Sequence, residues 1–115
     1  MVRVIFYKNE NGVEFVREWL KNDLSVADRR LIGEHLATLQ DGYPKVGMPL
    51  VKPMGNGLLE LRCHISDKRI ARILFCHADD GLVLLHGFVK KTESTRLQDL
   101  RLAKDRKNNF LNWGK

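Results

Sequence analysis

Three apolar runs at residues 58–65, 69–76 and 82–89, separated by short links that contain Ser66-Asp67-Lys68 and Ala78-Asp79-Asp80-Gly81, constrain this chain more than any other feature. Runs of this length, rich in Leu, Ile, Val and Phe and joined by short polar links, read as strands folding back on one another in an antiparallel meander. An earlier strand is expected where Val2, Val4 and Phe6 alternate with Arg3, Ile5 and Tyr7.

Helical spacing fills the interval between them. Asn11 followed by Glu14 matches an N-cap with its reciprocal partner, and Val13, Val16 and Leu20, backed by Phe15 and Trp19, give a first helix running to about Lys21. Ser25 with Asp28 caps a second, in which Leu31, Ile32, His35, Leu36 and Leu39 recur before Gly42 and Pro44 end it. The two are expected to form a helical hairpin. Residues 41–57 hold four glycines and three prolines and read as a long irregular connection. Thr95 with Gln98 is a capping box for a last helix, with Leu97, Leu100, Ala103, Phe110 and Leu111 toward the sheet. The predicted order is βααβββα, an α+β fold with helices packed on a small antiparallel sheet.

At 115 residues, with 43% apolar and 30% charged side chains, residues 1–115 suit a single domain around one core. No apolar run is long enough to span a bilayer, and Met1-Val2-Arg3-Val4-Ile5-Phe6 leads into polar residues without a signal-peptide pattern, so a cytoplasmic protein with no membrane partner is expected. Cys63 and Cys76 lie within apolar runs and read as buried free thiols. Residues 88–115 carry eight Lys/Arg against three acids and so supply +5 of the net +6. A cationic end attracts polyanions, which points to RNA, DNA or an acidic protein surface, although a solvated helix face has the same composition.

Leu59-Glu60-Leu61-Arg62, then Arg72-Ile73-Leu74-Phe75, then Leu84-Leu85-His86-Gly87-Phe88-Val89-Lys90-Lys91-Thr92, and a final helix with Ala103 and Arg106, follow in order over nearly the whole chain. In these motifs the chain resembles the phage-related HigB branch of the RelE/ParE toxin superfamily. One departure is Arg96, where relatives commonly place a proline after the threonine matching Thr95. The resemblance implies a RelE-like fold and a toxin of a type II toxin-antitoxin system that cleaves messenger RNA in the ribosomal A site. It also implies a cognate antitoxin, often a helix-turn-helix DNA-binding protein, through which alone the toxin would meet operator DNA.

Cleaving RNA without a metal or other cofactor requires a base for the 2′-hydroxyl proton, cations around a pentavalent phosphorus, and a donor for the leaving 5′-oxygen. Arg62 and Arg72 suit the phosphate, since a guanidinium stays charged and can hold two oxygens. Lys90 and Lys91 lie where the last strand meets the final helix, and crowding by other cations would favour a neutral lysine able to act as base. His86 and Glu60 compete for that role. Lys52, Arg96, Arg101, Lys104, Arg106 and Lys107 are candidate contacts to RNA or ribosome, while His35 and His77 look structural. Alternation places Glu60, Arg62 and His64 on one face, and His86, Phe88 and Lys90 on one face of the last strand. Arg72 joins Arg62 only if the hairpin pairs even positions with even.

Each residue also has a plainer reading: Glu60 and Arg62 as a cross-strand salt bridge, His86 as a packed histidine, Lys52 as a solvated lysine. Cys63-His64 and Cys76-His77 offer metal-ligand types, but adjacent strand residues point to opposite faces, so no metal site is expected. Two other functions remain open at this level: a ParE-like protein that inhibits DNA gyrase without catalysis, and an inactive nucleic-acid-binding module.

Overall fold

The computed structural model describes residues 1–78, 81–90 and 95–112. Its elements are β1 (Arg3–Phe6), α1 (Phe15–Asn22), α2 (Val26–Gly42), β2 (Val51–Gly55), β3 (Leu58–His64), β4 (Ile70–Ala78), β5 (Gly81–Lys90) and α3 (Leu97–Asn112). They build an α+β fold on one five-stranded sheet of order β1-β5-β4-β3-β2.

The meander is present as β3, β4 and β5, each antiparallel to the next. Two features differ from the expected small antiparallel sheet. Val51–Gly55, within the stretch read as an irregular connection, is an edge strand antiparallel to β3. A proline is tolerated at such an edge because its missing N–H need not join the ladder. Strand β1 runs parallel to β5, which makes the sheet mixed.

The sheet is covered on both faces. Leu61, Cys63, Ala71, Ile73, Phe75, Leu82 and Leu84 join Val16, Ile32 and Leu39 of α1 and α2 in the larger core. Leu58, Leu74, Cys76, Val83, Leu85 and Phe88 pack with Ala103 of α3 in the smaller one. Helices α1 and α2 make their principal contacts with the sheet, α1 on β5 and α2 on β3, rather than along each other as a hairpin would. The two free cysteines are buried in different cores, Cys63 beneath α1 and α2 and Cys76 beneath α3. Burial pushes the Cys63 thiol up to about 12.

Helix starts depart from expectation in two places. Helix α1 begins at Phe15, because the Asn9 side chain accepts from the N–H groups of Asn11 (3.0 Å) and Val13 (2.9 Å) and holds them in a turn. Helix α3 begins at Leu97, with Thr95 outside it, and Leu97 and Leu111 are exposed while Ala103 is buried. The Ser25 cap forms, its hydroxyl accepting from the Asp28 N–H at 3.1 Å. The buried Asp28 carboxylate turns away to accept from the Ser66 N–H and hydroxyl and from Arg69, tying α2 to the link between β3 and β4. The Ser66 N–H, outweighing burial, holds that carboxyl below its usual range.

Strand β5 contains one residue too many for its partner. Leu74 lies opposite His86 and Phe75 opposite Leu84, which leaves Leu85 as a bulge. Leu82 and Leu84 therefore belong to the larger core, whereas Leu85 and, beyond it, Phe88 face α3. The bulge aims His86 at α3. Just after it, Gly87 lies against the Trp19 indole so closely that a Cβ would overlap the ring. Gly87→Ala is expected to destabilise the protein by about 1–3 kcal/mol through this overpacking, measured by urea unfolding.

Candidate active site

The pairing of β3 with β4 settles which arginines share a face. Arg62 lies directly opposite Arg72, even with even, and Arg72 lies opposite Phe88 of β5. The neighbouring rows run Lys52, Glu60, Leu74, His86 and His64, Ile70, Lys90 across the same sheet. Thus Lys52 sits on strand β2 opposite Glu60 rather than in a loop. Lys91 lies outside the described residues.

Two guanidinium groups directly across a strand pair repel unless an anion intervenes. Glu60 is that anion. Its side chain is fully buried; Oε1 accepts from Arg62 Nε at 2.8 Å and Oε2 from the Thr95 hydroxyl at 2.5 Å. The Thr95 oxygen in turn accepts from Arg72 Nη1 at 3.1 Å. The residue expected to cap α3 instead bridges the carboxylate and the second arginine. Arg72 is 0% exposed, while the Arg62 side chain keeps 11% of its surface in solvent. Arg62 is the less buried of the two, and Arg72 beneath is joined to it through Thr95 and Glu60. Both oxygens of Glu60 accept hydrogen bonds, which suits it to positioning Arg62.

His86 forms a second cluster. Its Nε2 lies 2.8 Å from Asp99 Oδ1, its ring stacks on Phe88 at 5.3 Å between centroids, and Arg96 Nε donates to Asp99 Oδ2 at 3.0 Å. Burial lowers the imidazole pKa and outweighs the opposing pull of Asp99, so the folded protein favours neutral His86. Burial would raise the Asp99 carboxyl, but hydrogen bonds from His86 and Arg96 hold it below its ordinary value. A neutral ring whose Nε2–H donates a hydrogen bond to Asp99 keeps its lone pair on Nδ1.

A histidine whose folded pKa lies below the unfolded 6.5 contributes fully above pH 6.5, and that contribution is lost as pH falls through the folded value. Unfolding free energy is expected to decline below pH 6.5, and His86→Gln to flatten that decline, as read by denaturant titrations above and below that pH.

The cations of α3 divide by use. Arg101 and Lys104 are exposed and line a shallow cleft with Met54, Asn56, Leu58, Leu97 and Leu100. Arg106 donates to the Leu85 carbonyl at 2.8 Å and covers the Phe15 ring at 4.0 Å, while Lys107 donates to the Asn56 carbonyl at 2.5 Å. Those two also make contacts within the fold. Thr95 and Asp99, which organise the two clusters, were missed as site residues, since in the sequence each reads as part of a helix start. His64 and His35 line a cleft with Arg62 at the far end of β3; His35, at helical spacing among apolar residues, carries no such signal in the sequence.

The five-stranded mixed sheet with its three helices roughly matches the order of the RelE-like α+β fold. Residues 18–108 match the family described as Phage derived protein Gp49-like (DUF891), and the chain belongs to it. That family falls within the RelE/HigB-like toxins, is related to RelE-type toxin nucleases and implies a cognate antitoxin. Among curated proteins none matches the chain. No helix among the described residues is long and apolar enough to cross a membrane.

Proposed function

We propose that this protein is the HigB-type toxin of a type II toxin-antitoxin pair and cleaves ribosome-bound messenger RNA. The 2′-hydroxyl would attack the adjacent phosphate and leave a 2′,3′-cyclic phosphate and a 5′-hydroxyl. The observation that carries this reading is Arg62, whose side chain keeps 11% of its surface in solvent and is held by the buried Glu60-Thr95-Arg72 network. A fixed, always-charged fork is what a phosphorane needs, because donors already in place cost no reorganisation as charge develops.

Lys90, in the same face two rows of the ladder from His86, and Lys52 add positive charge along the path of the chain. Exposed Arg96, Arg101 and Lys104 extend it over α3 toward ribosomal RNA. The antitoxin in this reading is a helix-turn-helix protein, with an acidic segment for the basic toxin and its own contacts to operator DNA.

Translation of a defined message in vitro with purified protein, with new 5′ ends mapped by primer extension, tests the reading. Cuts on translated but not on free RNA are expected. An intact message together with loss of gyrase supercoiling would replace it with the non-catalytic ParE-like function.

A further inference from the structure

The turn between β2 and β3 and one stripe of α3 enclose a groove of about 240 Å³. Leu97, Leu100, Arg101 and Lys104 recur at the three- and four-residue spacing that puts side chains on one side of a helix, and all four line it. Met54, Asn56 and Leu58 form the facing wall. The two walls are fixed to each other. Met54, Leu58 and Leu100 pack in the smaller core, and Lys107, one turn beyond Lys104, donates to the Asn56 carbonyl. A Cβ on Gly57, whose φ is +77°, would lie 2.9 Å from the Lys107 ammonium, so the absence of a side chain there lets the turn meet the helix.

The groove combines aliphatic surface with cations that no acid neutralises. Leu97 opens α3 and is 60% exposed, and Arg101 and Lys104 are exposed and paired with no carboxylate among the described residues. Elsewhere on this face Arg62 is held by Glu60, and Arg96 by Asp99. None of the lining residues is acidic or aromatic. That composition decides between two polyanions. Single-stranded RNA gains affinity from aromatic platforms on which its bases stack, and the groove has none. An acidic polypeptide with aliphatic side chains meets both an apolar floor and cations at the rim. Nor does the adjoining sheet edge suit an added strand. The Val51 N–H is given to the Gly47 carbonyl at 3.1 Å and Pro53 has none, so β2 offers a donor at neither position. The occupant engages through side chains, as a helix does in a groove.

We propose that this groove docks an acidic amphipathic segment of the cognate antitoxin, with its aliphatic side chains on Met54, Leu97 and Leu100 and its carboxylates on Arg101 and Lys104. The inference rests on the toxin-antitoxin reading above and deepens it by naming the surface the antitoxin occupies. Arg101 and Lys104 are the cations that reading turns toward ribosomal RNA, so a bound segment withholds them from the ribosome. Glu60, Arg62 and Arg72 do not line the groove. Inhibition is by competition for the ribosome, with the arginine pair left uncovered.

The probe is a synthetic peptide of about 15 residues with leucine along one helical stripe and glutamate on its flanks, compared with a scrambled peptide of the same composition and with a short oligouridine. Fluorescence anisotropy gives the affinities of the wild-type protein, Leu97→Ser and the double variant Arg101→Glu/Lys104→Glu, with thermal melts to establish that each is folded. Methyl NMR spectra of the wild type locate the contact, and sedimentation with ribosomes reads the competition. The striped peptide should bind the wild type at least about tenfold more tightly than the scrambled one and shift the methyl signals of Met54, Leu58, Leu97 and Leu100. Leu97→Ser should lose about fivefold in affinity and the double variant more than about tenfold. The peptide should also displace wild-type protein from ribosomes.

Equal affinity of the wild type and the double variant for the peptide, or shifts confined to other methyl groups, would overturn the inference. Oligouridine moving the groove signals where the peptide does not would overturn it in favour of RNA. Peptide bound in the groove without displacement from ribosomes would overturn the competitive mode of inhibition. Wild-type protein that binds the peptide as expected but leaves ribosome-bound message whole would remove the nuclease reading instead, since neither anisotropy nor NMR depends on cleavage.

Discussion

Arg62→Ala is expected to lower the rate of cleavage of ribosome-bound message by on the order of 10³-fold, the upper range for removal of one preorganised donor to a developing anion. Arg62→Lys should lose about 10²-fold even though it keeps the charge, because an ammonium cannot offer the planar fork. The lysine variant separates chemistry from folding. A lysine can still pair with Glu60 across the short distance that Arg62 now spans, so its melting temperature should stay within a few degrees of wild type. Lys104→Ala, on the exposed face of α3, should weaken ribosome association and steepen nothing in the chemical step. Single-turnover rates at saturating protein distinguish the two classes.

Glu60→Ala is expected to cost about 3–5 kcal/mol of stability, the range for removing one partner from a buried charge cluster. The carboxylate is fully buried between two strands that each contribute an arginine, and it also accepts from Thr95. Its loss leaves positive charge in the interior facing a hydroxyl with one acceptor fewer. For a domain whose whole stability is roughly 5–15 kcal/mol, that is a large fraction. Glu60→Gln preserves the shape and the acceptor for Thr95, and should cost less than alanine. Urea unfolding of the two variants measures both effects.

How far the sequence could be read depended on how local each signal was. Strands β3, β4 and β5 and the Ser25 cap were legible because short links and an adjacent capping residue write themselves into a few neighbouring positions. Strand β2 was not, since Pro53, Gly55 and Gly57 are turn-formers anywhere except beside a sheet edge, and only β3 shows where that edge is. The parallel pairing of β1 with β5 joins residues nearly eighty positions apart and leaves no local trace. Asn11 failed as a cap because Asn9, two residues earlier, captures its N–H.

The same division holds at the site. Arg62, Arg72 and Glu60 were picked out by residue type and motif, but their common face depended on a register that the sequence left open between even and odd. The depth of Arg72 was hidden as well, since it follows from Thr95 lying over the sheet rather than capping α3. His86 was visible as a titratable group, yet its aim toward Asp99 comes from the unpaired Leu85, a single-residue bulge without a glycine to mark it. The cleft with His35 and His64 required knowing that β2 starts late.

The proposed RNA cleavage by attack of the 2′-hydroxyl is read most directly from the ends of the cut RNA. Ribosome-bound message treated with the purified protein should yield upstream fragments ending in a 2′,3′-cyclic phosphate and downstream fragments beginning with a 5′-hydroxyl, identified by mass spectrometry. Fragments bearing a 3′-hydroxyl and a 5′-phosphate, or a message left whole while the protein is bound to the ribosome, would contradict it.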